Sequence, residues 1–78
     1  MEHKTMGEII SIHRKEKGLT QKGLGDRLHI TDKAVSKWER GIACPDIKTI
    51  PLLAEALDLS VEELLNTNTV YPSKTAAM

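Results

Sequence analysis

Four polar side chains fall on one side of a short helical segment: Asp32, Lys33, Ser36 and Lys37. Val35 and Trp38, three residues apart, occupy the opposite side of the same segment. Lysine can donate to O6 and N7 of guanine, and a carboxylate can accept from N4 of cytosine, so the polar set suits contact with base edges. Asp32 also stands at the N-terminus of the segment, where a carboxylate stabilises the helix dipole, and both roles stay open for it.

This segment is the second of two short helices joined by a tight turn within residues 20–41. Thr20 and Thr31 each precede a helix, where a hydroxyl can cap free backbone N–H groups. Three residues separate the two helices. We expect five apolar side chains of this unit to be buried: Leu24, Leu28, Ile30, Val35 and Trp38. A polar helix braced from behind by a second helix is a layout that enters the major groove of DNA.

The charge distribution agrees with this interpretation, although the net charge is zero. Residues 1–40 hold nine Lys and Arg against six Asp and Glu, giving +3, and residues 41–78 hold two against five, giving −3. The basic half contains the helix pair, so one side of the molecule can face phosphate. Five side chains near the pair are expected to contact phosphate and set the register on DNA: Lys15, Gln21, Lys22, Thr31 and Arg40.

The pattern GLTQ…LGDRLHIT…AVSKWERG…P…LAEAL resembles the Cro/repressor-type helix-turn-helix family of bacteria and phages, also called the xenobiotic-response-element type. The specific elements are Leu19-Thr20-Gln21, Trp38-Glu39-Arg40-Gly41, Pro45 and Leu53-Ala54 at these separations. The resemblance covers residues 6–66. It implies an all-α, compact five-helix DNA-binding domain, and a transcriptional regulator of the repressor kind that binds a double-stranded operator. We expect a homodimer on DNA because one two-turn helix reaches only a few base pairs.

The resemblance also assigns roles to single residues. It implies an ion pair between Arg14 and Glu39, for which two separately solvated charges are the alternative, and a bracing role for Gln21 beside its phosphate contact. Gly25 stands where the two helices of the pair approach most closely. His29 takes a turn position that favours glycine, so we expect it to adopt a positive φ.

The remaining segments are predicted from local patterns. Residues 1–5 form a flexible arm, and residues 6–17 form a helix that Gly18 ends with a left-handed cap. The apolar face of that helix is expected to hold Met6, Ile9, Ile10, Ile12 and His13, with His13 as a hydrogen-bonded core residue.

Proline and a capping motif locate the last two helices. Because Pro51 is tolerated only in the first turn of a helix, the fourth helix is expected to start near Lys48 or Thr49. Ser60 and Glu63 form a capping box ahead of a last helix over residues 61–66. Residues 67–78 are a tail or a linker to an effector domain outside this sequence.

Other classes of protein fit the sequence less well. No grouping of nucleophile, base, paired carboxylates or metal ligands stands out, so we expect no catalysis, no metal and no cofactor. The single Cys44 and the lack of a long apolar run favour a cytoplasmic protein without a membrane segment. The competing interpretation is an antitoxin or coactivator-like protein-interaction module that uses the acidic second half.

The expected surface for dimer formation lies after the helix pair. Three segments are candidates: the Ile42–Pro45 loop, the last helix around Val61 and Leu65, and Val70-Tyr71 in the tail. These segments carry few basic residues, so two copies can approach on DNA without strong repulsion.

Overall fold

The computed structural model describes residues 5–65, and within this range the chain forms five helices and no strand. The helices are α1 (Met6–Glu16), α2 (Gln21–Leu28), α3 (Asp32–Glu39), α4 (Thr49–Ala56) and α5 (Val61–Leu65). The predicted all-α, five-helix fold is confirmed. Residues 1–4 and 66–78, including the predicted tail with Val70 and Tyr71, lie outside the described residues.

The first helix is capped by a residue that the sequence analysis placed in a flexible arm. The Thr5 hydroxyl accepts a hydrogen bond from the backbone N–H of Glu8 at 3.1 Å, and the Glu8 carboxylate accepts one from the Thr5 N–H at 2.9 Å. Thr5 is therefore the N-cap of α1, and the expectation that it belongs to an arm was wrong. The sequence does contain the signal, because Thr-x-x-Glu is the pattern of a capping box. At the other end, Gly18 adopts φ +71° as predicted.

The buried face of α1 also differs from the predicted one. Of the five predicted residues, Ile10 is buried and Met6 and Ile9 are half-buried against the core, as expected. The other buried residues of α1 are Gly7 and Arg14. His13 is not a core residue: its side chain is 34% exposed, and its Nδ1 lies 3.3 Å from the Glu16 carboxylate. Ile12 is exposed as well. The inward side of α1 therefore includes Gly7 and Arg14 in place of Ile12 and His13. The charged Arg14 can be buried because it donates hydrogen bonds to Glu39 and the Leu19 carbonyl.

One hydrophobic core receives side chains from all five helices. Its buried members are Ile10, Leu24, Val35, Trp38, Ile50, Leu53, Ala54, Leu57 and Leu64. Leu28 and Ile30, which the sequence placed in the core, are half-buried against it. The core lies behind α3, so the polar side of α3 is left on the surface.

The helices after α3 begin where proline and capping patterns predict. The α4 helix starts at Thr49, so Pro51 falls in its first turn. The Asp46 carboxylate accepts a hydrogen bond from the Thr49 N–H at 2.9 Å. Before α5, Ser60 and Glu63 exchange hydrogen bonds of 2.9 and 3.0 Å, which confirms the predicted capping box.

Candidate nucleic-acid interface

The helix pair α2–α3 is held together by caps and a close backbone approach. Thr20 accepts a hydrogen bond from Gly23 N at 2.8 Å, and Thr31 accepts one from Ala34 N at 3.2 Å. His29 ends α2 in the left-handed conformation with φ 59° and ψ 40°, as predicted. A Cβ on Gly25 would lie 2.9 Å from the Ile30 carbonyl oxygen, so the turn passes directly over this glycine. The two helices are therefore fixed at their junction.

The outward side of α3 brings together the four residues that the sequence predicts to face bases. Asp32, Lys33 and Lys37 are exposed, while Val35 and Trp38 are buried on the opposite side. Ser36 is half-buried, and its hydroxyl accepts a hydrogen bond from Arg40 Nε at 3.2 Å. In this conformation the Ser36 hydroxyl is partly engaged within the protein.

The residues predicted to contact phosphate are mostly on the surface. Lys15, Lys22, Thr31 and Arg40 are exposed, and Gln21 is half-buried at the start of α2. The Thr31 hydroxyl already caps α3, which leaves its second lone pair for other contacts.

A buried charged network connects α1, the start of α2 and the end of α3. Arg14 Nε donates to Glu39 Oε2 at 2.6 Å, and Arg14 Nη2 donates to Glu39 Oε1 at 3.1 Å. Arg14 Nη1 donates to the Leu19 carbonyl at 2.8 Å, and Gln21 Nε2 donates to Glu39 Oε1 at 3.0 Å. The Arg14 and Glu39 side chains are only 10% and 8% exposed. The geometry confirms the predicted ion pair, rules out two separately solvated charges, and gives Gln21 its bracing contact.

The surface after α3 carries exposed apolar side chains, though not all of those predicted. Ile42 and Val61 are exposed, but Pro45 is buried and Leu65 is half-buried against the core. The expected exposed apolar surface therefore includes Ile42 and Val61, but Pro45 was wrongly included and Leu65 is only partly exposed.

Two further exposed apolar residues were missed by the sequence analysis, Ile47 at 85% exposure and Leu52. Leu52 could have been found from its spacing, because it falls opposite Ile50, Leu53 and Ala54 on α4. Ile47 lies in the irregular turn before α4, where no period applies.

Residues 5–65 contain neither a cluster of metal ligands nor a membrane-spanning helix. No three residues among His, Cys, Asp and Glu come together there in a way that could hold a metal ion. Cys44 is exposed in the loop after α3. None of the helices in this range is long and apolar enough to cross a bilayer.

The sequence matches the helix-turn-helix family over residues 10–64, which includes all four of the segments that carry the resemblance. It is 42% identical over 52 residues to YqaE, an uncharacterized helix-turn-helix transcriptional regulator of Bacillus subtilis; the match covers 67% of this chain and 45% of YqaE. It is 33% identical over 79 residues to repressor protein C2 of Salmonella phage P22, covering 95% of this chain and 37% of that repressor.

The structure is also similar to that of the P22 c2 repressor in complex with a synthetic operator. The TM-score is 0.78 at 33% sequence identity, and the match covers 81% of this chain and 96% of the other. The match thus spans less than half the length of YqaE and of the C2 repressor, but almost all of the repressor chain in the operator complex.

Proposed function

Because the chain belongs to the helix-turn-helix family, we propose that it is a transcriptional regulator that binds double-stranded operator DNA by inserting α3 into the major groove, and that it acts as a repressor. The observation that carries this proposal is the exposed side of α3. Asp32, Lys33 and Lys37 point outward from a helix whose other side is fixed in the core. The similarity to a repressor on its operator supports the same orientation.

Base contacts and phosphate contacts fall to different residues in this proposal. Lys33 and Lys37 donate to guanine O6 and N7, and Asp32 accepts from cytosine N4 or stabilises the α3 dipole. Ser36 contacts a base once the hydrogen bond from Arg40 Nε to its hydroxyl is broken. Five residues contact phosphate and fix the position of the protein along the duplex: Lys15, Gln21, Lys22, Thr31 and Arg40.

The regulator binds as a two-fold dimer on a near-palindromic site. One helix of two turns reaches only a few base pairs, which is too few for selection among the sites of a genome. Two copies related by a dyad place their α3 helices about 34–36 Å apart, one turn of duplex. The exposed apolar residues after α3 supply the contact surface: Ile42, Ile47, Leu52 and Val61. A titration with light scattering should find two protomers per duplex, and tight binding of one protomer to a half-site would contradict the dimer.

Selection of binding sites from random duplexes tests the DNA-binding proposal directly. The 78-residue chain should enrich one near-palindromic motif at moderate salt. Lys33→Ala combined with Lys37→Ala should lose that enrichment and keep weak binding to all duplexes. Lys17→Ala, which removes one charge at the end of α1, is the matched control and should enrich the wild-type motif. Failure of the wild-type chain to bind any duplex at low salt would refute the proposal.

That outcome would favour the second candidate, a protein-interaction module without catalytic activity. The observation that favours it is an exposed acidic set on the last two helices and their connection: Glu55, Asp58, Glu62 and Glu63. Such a set suits a basic protein partner. An electrophoretic shift with random duplex at low salt separates the two candidates, because only the DNA-binding regulator retards the duplex. Both candidates are cytoplasmic proteins.

A further inference from the structure

The main chain of α1 touches the main chain of α3 at Gly7. A Cβ built on Gly7 would lie 2.8 Å from the Glu39 carbonyl oxygen and closer still to the Trp38 carbonyl oxygen. Both neighbours are backbone atoms, so no side-chain rotamer can make room for it. Gly7 is buried and helical, and its φ is not in the left-handed region. The absence of a Cβ, rather than backbone freedom, is therefore what this position requires.

The contact lies at the opposite end of α3 from the one at Gly25. Gly25 approaches the carbonyls of Ile30 and Thr31, just before α3 begins. Gly7 approaches the last two residues of α3. The α3 helix is thus held between two glycines: Gly25 of α2 at its start and Gly7 of α1 at its end.

The Arg14–Glu39 ion pair cannot set the α1–α3 distance by itself. It joins the same two helices, and Arg14 lies seven residues from Gly7 on the same side of α1. A long arginine side chain can keep its hydrogen bonds over a range of helix separations, since several torsions can adjust. A contact between two backbones has no such freedom. The ion pair therefore attracts α1 and α3 to each other, and the Gly7 contact sets their closest distance.

We propose that Gly7 is a positioning residue for DNA recognition: it fixes the tilt of α3 by letting α1 close against the carbonyls of Trp38 and Glu39. This inference rests on the proposed function of α3. Ordinary van der Waals contact begins at about 3.4 Å, so an alanine methyl must part the helices by roughly 1 Å at this end. Because α3 is about 12 Å long and is held at its start by Gly25, it tilts by about 5°.

A tilt about the start of α3 displaces its far end most. Arg40 moves by roughly 1 Å, Lys37 by roughly 0.6 Å and Lys33 by much less, whereas binding groups must stay within about 0.5 Å of their productive positions. Gly7→Ala should therefore weaken binding to the preferred site by about tenfold or more, mostly through the base pair that Lys37 contacts. Binding to random duplex should change by less than about threefold, since mobile lysine and arginine side chains can still reach phosphate.

The test compares Gly7→Ala with Gly23→Ala in the 78-residue chain. Gly23 is the matched control because it also lies in the first turn of a helix, and a Cβ there meets only side-chain atoms at 3.2 and 3.5 Å. Solution structures of both variants, refined with residual dipolar couplings, should show the tilt of α3 against α2 in Gly7→Ala alone. Site affinities, corrected for the folded fraction, should show the loss in Gly7→Ala alone. If Gly7→Ala is mostly unfolded, trimethylamine N-oxide is added to restore the compact state before both measurements.

Two results would overturn the inference. In the first, α1 shifts outward while α3 keeps its orientation and the base preference is unchanged. In the second, both glycine variants lose affinity alike. A wild-type chain without any duplex preference would instead refute the proposed function, and the two structures would still decide whether Gly7 sets the position of α3.

Discussion

The buried pair of Arg14 and Glu39 offers a strong test of how this domain is held together. Glu39→Gln keeps the size of the side chain but leaves the Arg14 guanidinium buried without a counter-charge. Breaking a buried ion pair in this way costs about 3–5 kcal/mol. A domain with about 60 ordered residues has a free energy of unfolding of roughly 3–9 kcal/mol. We therefore expect Glu39→Gln to remove most of the stability.

A double-mutant cycle separates the pair from the cost of each single change. Arg14→Met keeps the aliphatic stem and removes the charge, and it should also be strongly destabilising because it leaves the Glu39 carboxylate buried. Arg14→Met with Glu39→Gln should cost less than the two singles together, by about 1–3 kcal/mol. Urea unfolding measures the free energy of unfolding of the wild type, both single variants and the double variant. The comparison requires that the slope of this free energy against urea concentration is the same for all four.

The exposed pair of Lys17 and Asp58 is the matched control for that cycle. Their charged atoms lie 3.2 Å apart, but the side chains are 41% and 83% exposed. Lys17→Met and Asp58→Asn should therefore show a coupling below about 1 kcal/mol. Asparagine is chosen because residue 58 has φ 62°, which asparagine tolerates. Simple additivity at Arg14 and Glu39, or equal coupling in both cycles, would refute the assignment of the buried pair.

Three further predictions follow from individual contacts. Lys33→Ala should weaken binding to the preferred site by about 1–3 kcal/mol and reduce the sequence preference at one base pair. Arg40→Ala should instead weaken binding to all duplexes alike and reduce the slope of the logarithm of affinity against the logarithm of salt concentration by about one. Gly25→Ala should lower the free energy of unfolding by about 1–3 kcal/mol, because its Cβ meets backbone. Hydrogen bonds from the Thr49 side chain and N–H hold the pKa of Asp46 below its ordinary value of 3.8. The stability that Asp46 adds over Asp46→Ala should thus be present above about pH 3.8 and lost as the pH falls through the folded-state pKa.

Each of these predictions has a result that would contradict it. Equal loss on preferred and random duplexes for Lys33→Ala would remove that residue from the base-reading set. A Gly25→Ala domain as stable as wild type would mean that the turn can move away from α2. A stability difference for Asp46→Ala that stays constant from pH 6 to pH 2 in urea unfolding would mean that the ionised carboxylate does not cap the first turn of α4.

Local signals in the sequence were enough to place most elements of the fold. Hydroxyl caps at Thr20 and Thr31, the Ser60 capping box and the position of Pro51 each depend on a few neighbouring residues, and each was predicted at the observed position. The buried ion pair joins residues 25 apart, so no local pattern contains it. It was predicted from the resemblance to a family, and the structure confirms its geometry.

The orientation of α1 shows where hydropathy alone fails. A pattern of apolar residues counts Arg14 as exterior and therefore turns the helix to bury Ile12 and His13. In the structure the guanidinium is buried because Glu39, Gln21 and the Leu19 carbonyl satisfy it. None of these partners lies in α1, so its rotation depends on contacts that its own sequence does not contain.

The short α3 helix has the same dependence on distant residues. Eight residues are too few to form a stable helix in water on their own. The direction of α3 must therefore come from its anchors: Val35 and Trp38 in the core, the Glu39 carboxylate on Arg14, and glycines at both of its ends. Most of these anchors face away from the proposed DNA surface. A substitution of residue 7 or 14 can thus change DNA preference without changing any group that touches a base. A substitution on the exposed side of α3 gives the predicted change in DNA affinity only while those anchors are intact.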